Sequence, residues 1–104
     1  MTTPMRILST AAAAVGGPRN ADYGPPSEDF ATQAAMFSAY LSRTNGREVA
    51  VVASDIAALM ILVKLARQAH SPKEDNWIDA AGYAACGAEC VAAAFAARKR
   101  KQSK

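Results

Sequence analysis

Between Asp55 and Cys90 the chain reads DIAALMILVKLARQAHSPKEDNWIDAAGYAACGAEC. This stretch limits the fold more than any other. A strongly apolar helical pattern carries Lys64 and Arg67 near its end, and Ser71, Pro72 and Lys73 interrupt it. A second pattern opens with Asp75, Trp77 and Asp79 and continues in small residues. Charges set in an apolar pattern are costly unless they pair or bind something. Two cations and two carboxylates therefore face each other across a short turn. That arrangement suits either a Lys64–Asp79 salt bridge fixing the helix pair or a site for an anionic, nucleotide-like ligand.

Helical patterns account for most of the remaining chain. The first is expected over 5–15, with Ile7, Leu8, Ala11, Ala12 and Val15 as its apolar stripe, ended by Gly16, Gly17 and Pro18. A turn-rich loop, RNADYGPP, follows. Ser27 is the expected cap of a second helix reaching about Ser42, with Phe30, Ala34, Phe37 and Leu41 on one face. The β-branched run 49–52 reads as an extended approach to the third helix, because no second strand exists to pair with it. Ser54 is the expected cap of that helix, which runs to about His70. The fourth runs from about Asp75 to Arg98. From Ala80 to Ala97 its only charge is Glu89, so it should be buried on several sides, partly between subunits. The fold class is all-α: a four-helix bundle completed by oligomerisation, with one domain over 1–97 and a basic tail over 98–104.

The net charge of +3 misleads, because five cations lie in the last seven residues. Residues 1–97 hold seven cations against nine carboxylates, a net of −2. A nucleic-acid binder shows its basic face on the folded part, so nucleic acid is not the expected partner. Cys86 and Cys90 lack a histidine at zinc spacing and read as buried packing residues. No uncharged apolar stretch approaches the roughly 20 residues of a membrane span, and a soluble, cytoplasmic protein is expected.

The candidate ligand-binding residues are Arg19, Asp22, Tyr23, Lys64, Arg67, Asp75, Trp77, Asp79 and Tyr83. Lys64 and Arg67 are three apart and would neutralise phosphate. Tyr23, Trp77 or Tyr83 would contact a base, although Trp77 reads first as a core residue. Asp75 and Asp79 would accept hydrogen bonds from ribose or base, or orient the cations. Arg19, Asp22 and Tyr23 form a polar group on the loop. His70, at a helix C-terminus, complements the dipole. No nucleophilic triad, P-loop or dinucleotide fingerprint is present.

The succession GGPRNADYGPP, EDFATQAAMFSAYL, SDIAALMILVKLARQAH and PKEDNWIDAAGYAACGAE resembles a family of small phage and prophage proteins of unassigned function. More distantly, the four-helix plan is similar to all-α nucleoside triphosphate pyrophosphohydrolases of the MazG type. That likeness implies oligomers with sites between helices, and magnesium held by E-x-x-E and E-x-x-D pairs. This sequence has no E-x-x-E, and Lys64 and Arg67 stand where carboxylates are expected. The departure argues against an enzyme and leaves nucleotide binding intact, since cations neutralise phosphate directly. The expected function is sequestration of a nucleotide-derived host immune signal, of cyclic dinucleotide or cyclic ADP-ribose type. No cofactor is expected; magnesium enters only under the pyrophosphohydrolase alternative. A structural or protein-interaction module is the second alternative.

Overall fold

The computed structural model describes residues 1–17 and 24–102. Among them the chain forms helices α1 (Thr3–Val15), α2 (Pro26–Asn45), α3 (Ala53–His70) and α4 (Glu74–Gln102), and no strand. The all-α expectation holds.

Each helix begins where backbone N–H groups find an acceptor, and the caps differ from those expected. Thr2 starts α1 ahead of Met5, its hydroxyl accepting from the Met5 N–H at 3.4 Å. Pro25 replaces Ser27 as the start of α2, with Pro26 in the first turn, where a missing N–H costs nothing. The Pro25 carbonyl accepts from Glu28 and Asp29 at 3.0 and 3.1 Å. Ser54 lies inside α3 rather than capping it. Three residues into α3's start, the Asp55 carboxylate accepts from the Val52 N–H at 3.0 Å. Gly46, at φ 65°, ends α2 in the left-handed region that glycine enters without penalty.

The extended segment before α3 does find a partner, and it is not a strand. The Ser42 hydroxyl accepts from the Val49 N–H at 2.9 Å and donates to the Val49 carbonyl at 3.2 Å. One turn earlier, Ser38 does the same for Val51, at 2.8 and 3.1 Å. Serines four apart on a helix thus meet residues two apart on an extended chain. Their hydroxyls supply the pairing a neighbouring strand would otherwise give.

α4 is the axis of the molecule. Its 29 residues span about 43 Å at 1.5 Å per residue, close to the 47 Å longest dimension. It packs on all three other helices, most extensively on α3. The core joins Phe30 and Ala34 of α2, Ile56 and Ala57 of α3, and Cys86 and Cys90 of α4. Gln68 staples the α3–α4 turn by accepting from the Lys73 N–H and the Asn76 side chain, both at 3.0 Å.

The core is thin. The radius of gyration is 15.8 Å, against about 13 Å for a compact chain of this length. Several residues expected inside are outside: Leu8 and Ala12 of α1, Phe37 of α2, and Trp77, which is 50% exposed. α1 instead turns Ile7, Ala11 and Val15 inward. Within one copy α4 leaves Val91 and Phe95 exposed. An 18-residue window of α4 has a mean hydropathy of 1.4, long and apolar enough in composition to cross a bilayer. That hydropathy comes from alanine around Glu89, and a charged side chain at a bilayer centre costs about 2.5–3.5 kcal/mol or more. The basic tail continues α4 through Gln102, where the Arg98 guanidinium lies 5.5 Å from the Phe95 ring centre.

Candidate functional site

Lys64 sits on the face of α3 that meets α4. Ile61, Val63 and Leu65 surround it in sequence, and its side chain is only 14% exposed. An ammonium so placed needs a counter-charge. Asp79 supplies it from α4, with Nζ to Oδ2 at 3.0 Å. The salt bridge that the sequence allowed is therefore formed.

The same Asp79 lines a cleft of about 80 Å³. The cleft lies where the end of α1 (Ala14, Val15) and the start of α2 (Asp29, Phe30) meet the middle of α4. Ile78, Asp79, Gly82, Tyr83 and Cys86 form the α4 wall, positions that recur on one helical face. Gly82 keeps that wall low; a Cβ there would stand 3.6 Å from Val15. The rings of Phe30 and Tyr83 stack at 6.3 Å between centres. Asp29 accepts from the Gln33 amide at 3.1 Å. Beneath the cleft, burial pushes the Cys90 thiol above its ordinary pKa, with Cys86 and Glu89 adding to the effect. Its Sγ lies 3.9 Å from the Pro26 carbonyl oxygen.

The other candidates go elsewhere. Arg67 lines an open basin at the α3–α4 turn with Val63, Ala66, His70, Ser71, Lys73 and Asn76. Three basic side chains converge there. Trp77 turns toward α1 and lines a shallow groove with Ile7, Pro72 and Glu74. Beside it, Arg6 and Glu74 make a two-pronged ion pair, the second bond at 3.0 Å. The hydrogen bond from Arg6 holds the Glu74 carboxyl below the ordinary range. Asp75 is exposed. Arg19, Asp22 and Tyr23 lie outside the described residues. The structure thus brings Asp79 and Tyr83 to one cleft, ties Lys64 to Asp79 outside the cleft's lining, and sets Arg67 and Trp77 on two other surfaces.

Asp29, Phe30, His70, Lys73 and Asn76 were not among the candidates. Phe30 belongs to the expected apolar face of the second helix and Asp29 precedes it in the first turn; their position at the start of α2, just after a loop, is the available signal. Among the described residues the carboxylates do not form a magnesium site. Asp79 is bound to Lys64, and no group of three His, Cys, Asp or Glu side chains among the described residues is placed to hold a metal.

Two proteins called Gene 55 protein, from Mycobacterium phage D29 and Mycobacterium phage L5, are 41% and 37% identical over 81 residues, 77% of this chain. The chain spans about half the length of these curated relatives, 50% and 49%. No solved structure matches it. Residues 6–91 match the family described as a domain of unknown function (DUF6378). The matched range takes in all of α2 and α3, most of α1, and α4 as far as the core cysteines, so the chain belongs to this family, a phage protein family of unknown function.

Proposed function

We propose that the protein binds a nucleotide-like small molecule without cleaving it, in the host bacterial cytoplasm, and acts by sequestration. The observation that carries this reading is the double role of Asp79. Its carboxylate holds a mostly buried ammonium at 3.0 Å and also faces the cleft. A ligand entering the cleft meets the Asp79 carboxylate already oriented by Lys64, beside a second carboxylate and a tyrosine. Preoriented groups lower the ordering cost of binding.

Size and charge divide the work. A pocket that encloses a drug-sized ligand holds about 300–1,000 Å³, whereas this cleft holds about 80 Å³. It takes one small part of a ligand, and its carboxylates suit hydroxyl or amine donors rather than phosphate. Phosphate would fall to Lys64 and to Arg67, one turn along α3 in a basin with His70 and Lys73. A cyclic dinucleotide or cyclic ADP-ribose isomer has both kinds of group. The proposal includes the wider likeness to MazG-type bundles, which rests on the all-helical architecture.

A thermal-shift screen against nucleotides, cyclic dinucleotides and ADP-ribose derivatives, with and without magnesium, tests it. The expected result is a rise in Tm with the ligand recovered unchanged by chromatography. Ligand at a hundredfold excess over Kd adds about 2.7 kcal/mol. Lys64→Ala should abolish the shift while the variant stays folded. Metal-dependent products would support the pyrophosphohydrolase alternative. No shift with any compound would overturn the proposal. It would favour a protein-interaction module, a reading supported by the exposed apolar side chains of α3 and α4.

A further inference from the structure

The outward face of α3 is uncharged for most of its length. Its inward face carries Ile56, Ala57, Lys64 and Gln68. Opposite them lie Leu59, Leu62, Ala66 and Ala69, spaced three, four and three apart. That spacing is the seam of a paired helix. Leu59 is 47% exposed, Leu62 60% and neighbouring Val63 39%. Leaving such a row in water forgoes burial energy that a partner helix would recover.

The charges at the two ends of this face identify the partner. Asp55 is exposed in the first turn of α3. Arg67 and His70 lie in the last turn and share the basin with Lys73. That basin also includes Val63 and Ala66, so it is continuous with the seam. Among the described residues neither Asp55 nor Arg67 has an ion-pair partner. The face thus carries a carboxylate at one end and leucine and alanine along its middle, and the cations of the basin flank its other end. It is complementary to itself, and only in the antiparallel sense; parallel pairing would set like charges together.

We propose that two copies of this chain pair through α3, antiparallel, about a two-fold axis beside Leu62 and Val63. Leu59 of each copy then packs on Ala66 of the other. Asp55 of each copy lies beside Arg67 and His70 of the other. One Asp55 oxygen accepts from the Val52 N–H; the other is turned to the second copy. Two-fold pairing satisfies both ends at once. A single 18-residue helix face is at or below the low end of the roughly 1,200–2,000 Å² that stable interfaces bury. The dimer is therefore weak and concentration-dependent. The pairing stands without the ligand reading but uses the same basin of Arg67, His70 and Lys73, so a bound phosphate would compete with the other copy's Asp55 and the dimer is measured without ligand.

Sedimentation equilibrium of the full chain, from low-micromolar to near-millimolar concentration, tests it. Wild type should pass from monomer to dimer. Leu62→Glu should raise Kd about tenfold or more, with helix content by circular dichroism unchanged. Asp55→Lys and Arg67→Glu should each weaken the dimer alone. An equimolar mixture of the two should recover it, because both 55–67 contacts in the mixed dimer are between opposite charges. Loss of the Asp55 cap cannot produce that recovery. A monomer at every concentration would overturn the proposal. So would a dimer indifferent to Leu62→Glu, or a mixture that stays monomeric.

Discussion

α4 meets two helices in two different ways. Toward α3 its contacts step regularly in opposite directions along the chain: Ala57 with Gly87, Lys64 with Asp79, Gln68 with Asn76. Toward α1 they run in the same direction, Arg6 with Glu74 and Val15 with Gly82. Both seams hold one ion pair and one glycine. In the α3 seam the ammonium is 14% exposed, and a Cβ on Gly87 would stand 3.1 Å from that of Ala57. In the α1 seam both ion-pair partners are 46% exposed, and a Cβ on Gly82 would meet Val15 at 3.6 Å, an ordinary contact. The same residue types thus carry different weight, because water and helix separation set the value of each.

Substitutions at matched positions should expose that difference. Gly87→Ala makes the two helices give by a few tenths of an ångström at Ala57; such overpacking costs about 1–3 kcal/mol, offset by up to about 1 kcal/mol from replacing a mid-helix glycine. For a domain of this size each kcal/mol lowers Tm by about 4–8 °C. A Tm within error of wild type would mean that the α3 seam is looser than drawn. Next in size is Asp79→Asn, which strands the Lys64 ammonium. Removing one partner of a buried pair costs 3–5 kcal/mol, but Asp79 is itself 44% exposed, so about 1–2 kcal/mol is expected. Lys64→Met, which removes the charge and keeps the volume, should cost less. If Lys64→Met proves the more damaging of the two, the stranded-charge account is wrong.

The α3–α4 seam was legible in the sequence for a physical reason. Lys64 in an apolar pattern demanded a counter-charge, and the short interruption at Ser71, Pro72 and Lys73 left little chain to separate the helices. The α1 seam was not legible. Arg6 and Glu74 are 68 residues apart, and α1 is so rich in alanine that Ile7–Ala11–Val15 and Leu8–Ala12 compete as its inner face. Trp77 illustrates the limit of composition: a large aromatic was expected inside, yet it sits at the edge of the α1 seam. Ser38 and Ser42 illustrate another, since periodicity counts apolar residues and their bonds to Val49 and Val51 belong to none. Of the cleft, Asp79 and Tyr83 were foreseen from α4 alone. Asp29 and Phe30 join it only because the ends of two other helices converge there.

Gly82→Ala is the counterpart to Gly87→Ala and should be nearly neutral. The added Cβ meets Val15 at ordinary contact distance, and alanine in place of a mid-helix glycine gains up to about 1 kcal/mol. A Tm equal to wild type or slightly higher is expected. A marked fall would place α1 closer to α4 and erase the contrast between the seams. Because Gly82 lines the cleft, the variant should also weaken any ligand that the cleft takes.

The smallest effect is expected at Arg6 and Glu74. Exposed pairs contribute little and are screened by salt. Their contribution has a definite pH signature, because the hydrogen bond from Arg6 depresses the Glu74 pKa. A carboxylate held low in the folded state stabilises above its unfolded pKa, and that stabilisation is lost as pH falls through the folded value. Glu74→Gln should therefore melt slightly below wild type at neutral pH and low salt. The gap should close on acidification below the ordinary glutamate range, and separately on adding salt at neutral pH. Lys64→Met against wild type should respond less to salt, because the ammonium is largely out of water. A Glu74→Gln gap that survives both acid and salt would place that pair in a drier site than 46% exposure allows. The two seams would then differ in helix spacing alone.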